Sequence, residues 1–288
     1  MQKLGSLNFN SPYLSEMLAV KTWVRNRAKN IANHFGITQF LGWQVDGIKV
    51  YIISYPKSGR TWLRSLLGKA LCEYYGIDEK FVLQTQFLTR NTKLLPTQFS
   101  HDMKGSELWN ELETDKSRYR HKKVVFMTRQ PHDVMVSFYF HVKNRNKKFN
   151  GSISEFIRSD RWGIKKLLNF NKIWYSNQGI FEDFLLIKYE DMHEDTNACL
   201  FSLLNFIGVR DVPKSVIKNA VEFCNIENMR KMEIANKLND HRLSSNNIND
   251  KEALKVRKGK IGGYIDYLSE EDIDYIDQVI WELGNPWY

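Results

Sequence analysis

Apolar residues along the chain fall into two kinds of run, short unbroken β-branched blocks and longer stretches spaced three and four apart. The block Val50 to Ser54 is broken by Pro56 and Gly59, and apolar spacing resumes at Trp62, Leu66, Leu67 and Leu71. This predicts a buried strand, a glycine turn and a helix over about 61–75. Lys123 to Thr128 and Phe184 to Tyr189 repeat the pattern. The first leads through a Gln-Pro-His turn into a helix from Asp133 to about Lys143, the second through Glu-Asp-Met into a helix ending near Gly208. Three strand–loop–helix units predict an α/β fold, a central parallel sheet flanked by helices, with ligands beyond the carboxyl ends of its strands.

The remaining stretches fill out one domain. Leu14, Leu18, Val24, Ala28, Ile31 and Ala32 give residues 12–35 an imperfect helical stripe, a covering helix ahead of the first strand. The segment from Gln84 to Gly105 is turn-rich with no clean period. Helices are expected near Pro213 to Cys224 and Ser269 to Gly284, where Ser269-Glu-Glu-Asp supplies a cap and an acidic first turn. Asp240 to Asp250 is polar and reads as a mobile loop. No repeat or linker divides the chain, so 1–288 is expected to be a single domain: a helical cover over 1–47 and a core over 48–288.

Composition narrows the functional classes. With 42% apolar and 13% aromatic residues, 288 residues build a large core, and overall disorder is excluded. A net charge of +9 suits an anionic ligand, nucleic acid or an acidic membrane surface. The basic residues are scattered and no nucleic-acid-binding motif occurs, which favours a nucleotide cleft and argues against nucleic acid. Cys72, Cys199 and Cys224 lack C-x-x-C spacing and read as reduced thiols in apolar surroundings. No charged-then-apolar leader and no apolar run near 20 residues is found, so the expectation is a cytoplasmic protein with no membrane association.

The chemistry centres on Tyr55-Pro-Lys-Ser-Gly-Arg-Thr-Trp62. A helix opening there leaves its first N–H groups without partners, and Lys57 adds a cation, so a phosphate fits. The string is not the G-x-x-x-x-G-K-[ST] loop of nucleoside triphosphatases, because Lys57 precedes Ser58 and Gly59. Arg129 leaves the second strand with a fork of donors suited to phosphate, and Ser137 follows eight residues later on the next helix. Arg257-Lys-Gly-Lys-Ile-Gly262 pairs two cations with a glycine, which lets backbone N–H groups approach an anion. Among seven histidines, His101 in Phe99-Ser-His-Asp102 lies between the first two phosphate motifs and is the candidate base. His132 and His141 flank the second helix as surface or substrate wall. Asp102 points away from His101 if the segment is extended, and is expected to serve a surface or capping role.

Tyr-Pro-Lys-Ser-Gly-x-Thr-Trp resembles the 5′-phosphosulfate loop of sulfotransferases that use 3′-phosphoadenosine 5′-phosphosulfate (PAPS). Arg129 with Ser137 and Arg257-Lys-Gly259 resemble the same family's 3′-phosphate elements, so the resemblance spans about residues 50–284. It implies a P-loop nucleotide-kinase-like sulfotransferase fold. It places the 5′-phosphosulfate on Lys57, Ser58, Gly59, the backbone of Arg60, Thr61 and Trp62, and the 3′-phosphate on Arg129, Ser137, Arg257, Lys258 and Gly259. Trp62 and Tyr189 match residues that contact adenine. His101 resembles the family's base, and Lys57 would stabilise the leaving phosphate.

Departures from the family pattern are Arg60 and Phe99 where relatives often carry Thr and Lys, Gly263-Tyr264 in place of Asp-Trp, and Cys224 and Ile226 in place of Thr and Phe. The reaction implied is metal-free transfer of a sulfuryl group to a hydroxyl, or an amine, of a small molecule, releasing 3′-phosphoadenosine 5′-phosphate (PAP). The alternatives are a carbohydrate or peptide acceptor, a nucleotide-dependent kinase on a similar fold, and a non-catalytic nucleotide-binding module. The acceptor and the oligomeric state stay open.

Overall fold

The computed structural model describes residues 47–245 and 250–288; the predicted covering helix within 12–35, and the N-terminal cover up to residue 46, lie outside the described residues. One sheet is formed by β1 (Val50–Ser54), β2 (Thr97–Ser100), β3 (Lys123–Thr128) and β4 (Asp183–Lys188), in the order β2-β1-β3-β4 with every pair parallel. Ten α-helices accompany it among the described residues: α1 (Arg60–Tyr75), α2 (Thr85–Arg90), α3 (Pro131–Phe140), α4 (Ile153–Arg158), α5 (Ile164–Ser176), α6 (Tyr189–Glu194), α7 (Thr196–Phe206), α8 (Lys214–Phe223), α9 (Ile226–Ile234) and α10 (Glu270–Leu283).

β1, β3 and β4 occupy the three predicted blocks, with Tyr189 opening α6 instead of ending β4. β2 and α2 fall in the stretch from Gln84 to Gly105 that shows no period. Only Thr97 of β2 is fully buried, so this edge strand lacks the apolar alternation that would announce it. α10 begins as expected, with the Ser269 hydroxyl accepting from the Asp272 N–H at 3.2 Å. Cys72, Cys199 and Cys224 are free thiols, Cys199 only partly buried.

Side chains two apart on a strand share a face, so each strand feeds two layers. Val50 and Ile52 with Val125, Met127 and Ile187 pack against α1, α7 and α8 through Leu63, Leu66, Leu203 and Ile217. Ile53 with Val124 and Phe126 packs on the other face against α3, α5 and α10 through Val134, Phe170, Trp174 and Ile276.

The register aligns the strand ends. Ile53 pairs with Ser100, Ser54 with Met127 and Thr128 with Lys188, so all four carboxyl termini lie on one edge. From β1 the chain runs outward to β2 on one side, then returns to place β3 on the other. The crevice between the loops after β1 and β3 is the topological switch point, where open α/β sheets bind ligands.

Asp102 corrects the expectation of a surface or capping role. The backbone turns through the left-handed region there, φ 52, and the carboxylate is buried, 1% exposed. It pairs with Lys116 at 2.8 Å and with Arg118, and accepts from the Tyr119 hydroxyl at 2.6 Å. This fastens the segment after β2 to the one that leads into β3. Lys116 is itself buried, and removing one member of a buried ion pair costs about 3–5 kcal/mol. Asp102→Ala is therefore expected to lower the urea-unfolding free energy by about that amount, whereas a surface cap would cost about 1 kcal/mol.

Candidate active site

Each strand delivers one functional segment to the same edge: the loop from Lys57 to Thr61 after β1, His101 after β2, Arg129 after β3 and Tyr189 after β4. In the first loop Lys57 and Gly59 both take positive φ, 71 and 97. A Cβ at position 59 would lie 2.5 Å from the Tyr189 ring, so the loop requires glycine there. Gly59 caps α1 with no side-chain hydrogen bond, and the first turn holds no acidic residue. Its N–H groups are thus left for an anion. Ser58 is buried in the loop with its hydroxyl unpartnered.

Burial, then the charge of Lys255, lowers the Lys57 ammonium to a pKa of about 7, with Arg145 and Arg129 adding to the repulsion and Glu233 opposing it. An anion in the loop reverses this effect. His101 Nδ1 lies 2.7 Å from the Ser54 carbonyl oxygen. A carbonyl only accepts, so Nδ1 carries the proton and Nε2 keeps its lone pair. Burial, followed by the charge of Arg60, holds the His101 pKa at about 3; Arg64 and His141 push the same way.

Arg129 and the C-terminal basic loop are joined by Asp133, a residue that the motifs did not single out. Asp133 sits 3.3 Å from the Arg129 guanidinium and accepts from the N–H groups of Gly262 at 2.9 Å and Tyr264 at 3.1 Å. Arg129 also donates to the Lys260 carbonyl at 3.0 Å, while its Nε is buried without a partner. The Tyr264 ring lies tilted against His132, with ring centres 4.7 Å apart. His132 is therefore buried packing, paired at 3.2 Å with Asp277, and neither helix surface nor substrate wall.

Arg257 donates to Glu252 at 3.1 Å and to the Tyr267 hydroxyl at 2.7 Å, and Lys258 pairs with Asp266 at 3.0 Å. Gly259 has φ 62, and a Cβ there would come within 1.9 Å of Ile226 Cδ1. The glycine thus answers to Ile226 and to backbone conformation, in addition to any approach of a phosphate. Trp62 meets Tyr189 edge-on at 5.7 Å and His193 at 4.8 Å, and the Arg129 guanidinium lies 4.1 Å from the Tyr189 ring centre. His193 was missed by the motifs; its place one helical turn after Tyr189 on α6 is the signal that could have found it.

These groups border one cavity of about 430 Å³. Every predicted site residue except Ser58 lines it, including Ser137 on α3 and Lys258 and Gly259 of the C-terminal loop. Cys224 and Ile226 line it as well. His141 is in the wall, on a π-helical turn (His141–Arg145) that extends α3. Lys255 is a further wall residue that no sequence motif marked. No cluster of His, Cys, Asp and Glu suited to a metal occurs among the described residues. No helix among them is long and apolar enough to cross a membrane.

Comparison with known proteins agrees with this geometry. Residues 48–284 match the family described as the sulfotransferase domain. Flavonol 3-sulfotransferase of Flaveria bidentis is 28% identical over 257 residues, covering 80% of each chain. Amine sulfotransferase of Oryctolagus cuniculus is 26% identical over 245 residues, covering 81% of this chain and 79% of its own. Among solved structures, a mouse sulfotransferase complexed with PAP superposes with TM-score 0.59 at 18% identity, covering 83% of this chain and 86% of its own. Retinol dehydratase in a complex with retinol and PAP superposes with TM-score 0.59 at 17% identity, covering 83% and 82%. Those two structures share the fold; the match over 48–284 assigns the family. With the glycine loop after β1, Arg129 and the C-terminal basic loop around one cavity, the chain belongs to the sulfotransferase domain family, the PAPS-dependent enzymes that transfer a sulfuryl group.

Proposed function

We propose that this sulfotransferase acts on a hydroxyl of a small molecule, with His101 as general base and Lys57 stabilising the leaving phosphate. The observation that carries the reading is the 2.7 Å contact of His101 Nδ1 with the Ser54 carbonyl, which leaves Nε2 as a proton acceptor in the cavity that the phosphate loop borders. In the step so assigned, the acceptor O–H proton passes to Nε2 while the acceptor oxygen bonds to sulfur. The bond from sulfur to the 5′-phosphate oxygen breaks, leaving negative charge on PAP. Lys57 and the N-terminus of α1 stabilise that charge.

The 5′-phosphosulfate is assigned to Lys57, Ser58, Gly59, Arg60 through its N–H, Thr61 and Trp62. The 3′-phosphate is assigned to Arg129, Ser137, Arg257, Lys258 and Gly259, and adenine to Trp62 and Tyr189. Residues 48–288 form the catalytic core in this reading, and the site of action is the cytoplasm. An amine acceptor would need the same proton removal and differs only in its nucleophile.

Three outcomes test the assignment. PAP at 100 times its dissociation constant is expected to add about 2.7 kcal/mol to folding stability, read as a rise in melting temperature. Lys57→Ala and His101→Ala are each expected to reduce turnover by about 10²-fold or more. Turnover is measured by mass spectrometry as gain of SO3 from labelled PAPS across a broad acceptor panel. His101→Ala should retain PAP binding, and a near-normal rate in it would remove His101 from the base role.

The pH dependence follows from the charges around His101. Neutral imidazole is the active form, so the rate falls as pH drops through its pKa. Burial first, and then the neighbouring cations, hold that pKa at about 3; the anionic donor offsets only the cations and so raises it part of the way toward the ordinary value of about 6.5. The acid limb of kcat/KM for the acceptor, measured at saturating PAPS, is expected between those limits. Arg60→Met removes a positive neighbour and should move the limb to higher pH; a shift to lower pH would contradict the charge assignment.

A further inference from the structure

Two cations in the cavity wall belong to none of the donor motifs through their side chains: Arg60 and Lys255. They lie with His101 and His141 in one electrostatic group. Burial is the main cause of the lowered pKa of both rings; the charge of Arg60 adds to it at His101, and those of Lys57, Arg145 and Lys255 at His141. Lys255 Nζ donates to two neutral carbonyls, those of His241 at 3.0 Å and Arg242 at 2.7 Å. The acid that bears on it is Glu233, fully buried and already accepting from the N–H groups of Lys255 at 2.7 Å and Val256 at 2.9 Å, with Arg145 at 3.5 Å. No acid bears on Arg60 among the described residues.

His141 supplies an independent sign of a ligand. The Asn146 side-chain amide donates to its Nε2 at 3.2 Å, so the proton of the neutral ring is on Nδ1. That Nδ1 is buried and has no hydrogen-bond partner. A buried donor left unmade is costly, and His141 is a residue of the cavity wall, where a small turn of the ring brings a ligand oxygen within reach of Nδ1. A phosphosulfate carries about two negative charges, met by Lys57 and the roughly half charge of the α1 N-terminus. Arg60 and Lys255 add further positive charge to the wall of the cavity that His101 and His141 also line.

Resting on the reading that PAPS is the donor, we propose that the acceptor is itself an anion: a hydroxyl compound bearing a carboxylate or phosphate, held by Arg60 and Lys255 with His141 Nδ1 donating to one of its oxygens. The charged group anchors the molecule while its hydroxyl faces His101.

The test uses the full chain in two stages. Calorimetric titration with PAP is done first on the wild type and on Lys255→Met, and failure of the wild type to bind would strike the donor reading, and this proposal with it. Turnover with PAPS is then compared for p-hydroxyphenylacetate against its methyl ester, and for glycerol 3-phosphate against glycerol, so that the two arms separate carboxylate from phosphate. The anionic member of at least one pair is expected to have the higher kcat/KM by about tenfold or more. In Lys255→Met that preference should fall to about threefold or less, with PAP affinity within about threefold of wild type. Lys255→Gln repeats the test should Lys255→Met fail to fold. No anionic preference, no turnover of any of the four, or a variant that weakens PAP binding while the preference survives, overturns the proposal.

Discussion

The in-register parallel pairing of four strands is the constraint on which the site depends. Because Ile53 pairs with Ser100, Ser54 with Met127 and Thr128 with Lys188, the residue after each strand emerges at one edge. A slip of one residue in any pair would exchange the two apolar layers and carry a functional segment out of line. The same hydrogen bonds that close the sheet therefore set the relation between Lys57, His101, Arg129 and Tyr189.

Within that frame the cavity concentrates positive charge that the protein itself neutralises only in part. Asp133 meets Arg129, Glu252 meets Arg257 and Asp266 meets Lys258, while the charge of Lys255 bears on Lys57 and that of Arg60 on Lys255. The low pKa of His101 and that of Lys57 near neutrality are two results of burial in this field. An anion among these cations offsets their mutual repulsion, though not the burial, and so raises both pKa values.

Much of this was legible in the sequence where local pattern and chemistry coincide. The blocks at Val50, Lys123 and Phe184 became β1, β3 and β4, and the basic and glycine motifs lie around one cavity because each follows a strand or a tight turn. What was illegible depended on partners far along the chain. β2 is a short edge strand recognisable only beside β1, and Asp102 looked like a surface residue because Lys116, Arg118 and Tyr119 are brought to it by the fold. Asp133 and Lys255 carry no motif of their own; their roles arise from Gly262, Tyr264 and Glu233, more than 20 residues away in each case.

The contact between His101 and Ser54 has an evolutionary consequence. The acceptor that fixes the imidazole tautomer is a main-chain carbonyl, so any amino acid at position 54 would supply the same oxygen. Orientation of the ring is in this sense robust to mutation of its partner. The arrangement can be inherited across sequences that have drifted widely, provided that the first two strands keep their alignment.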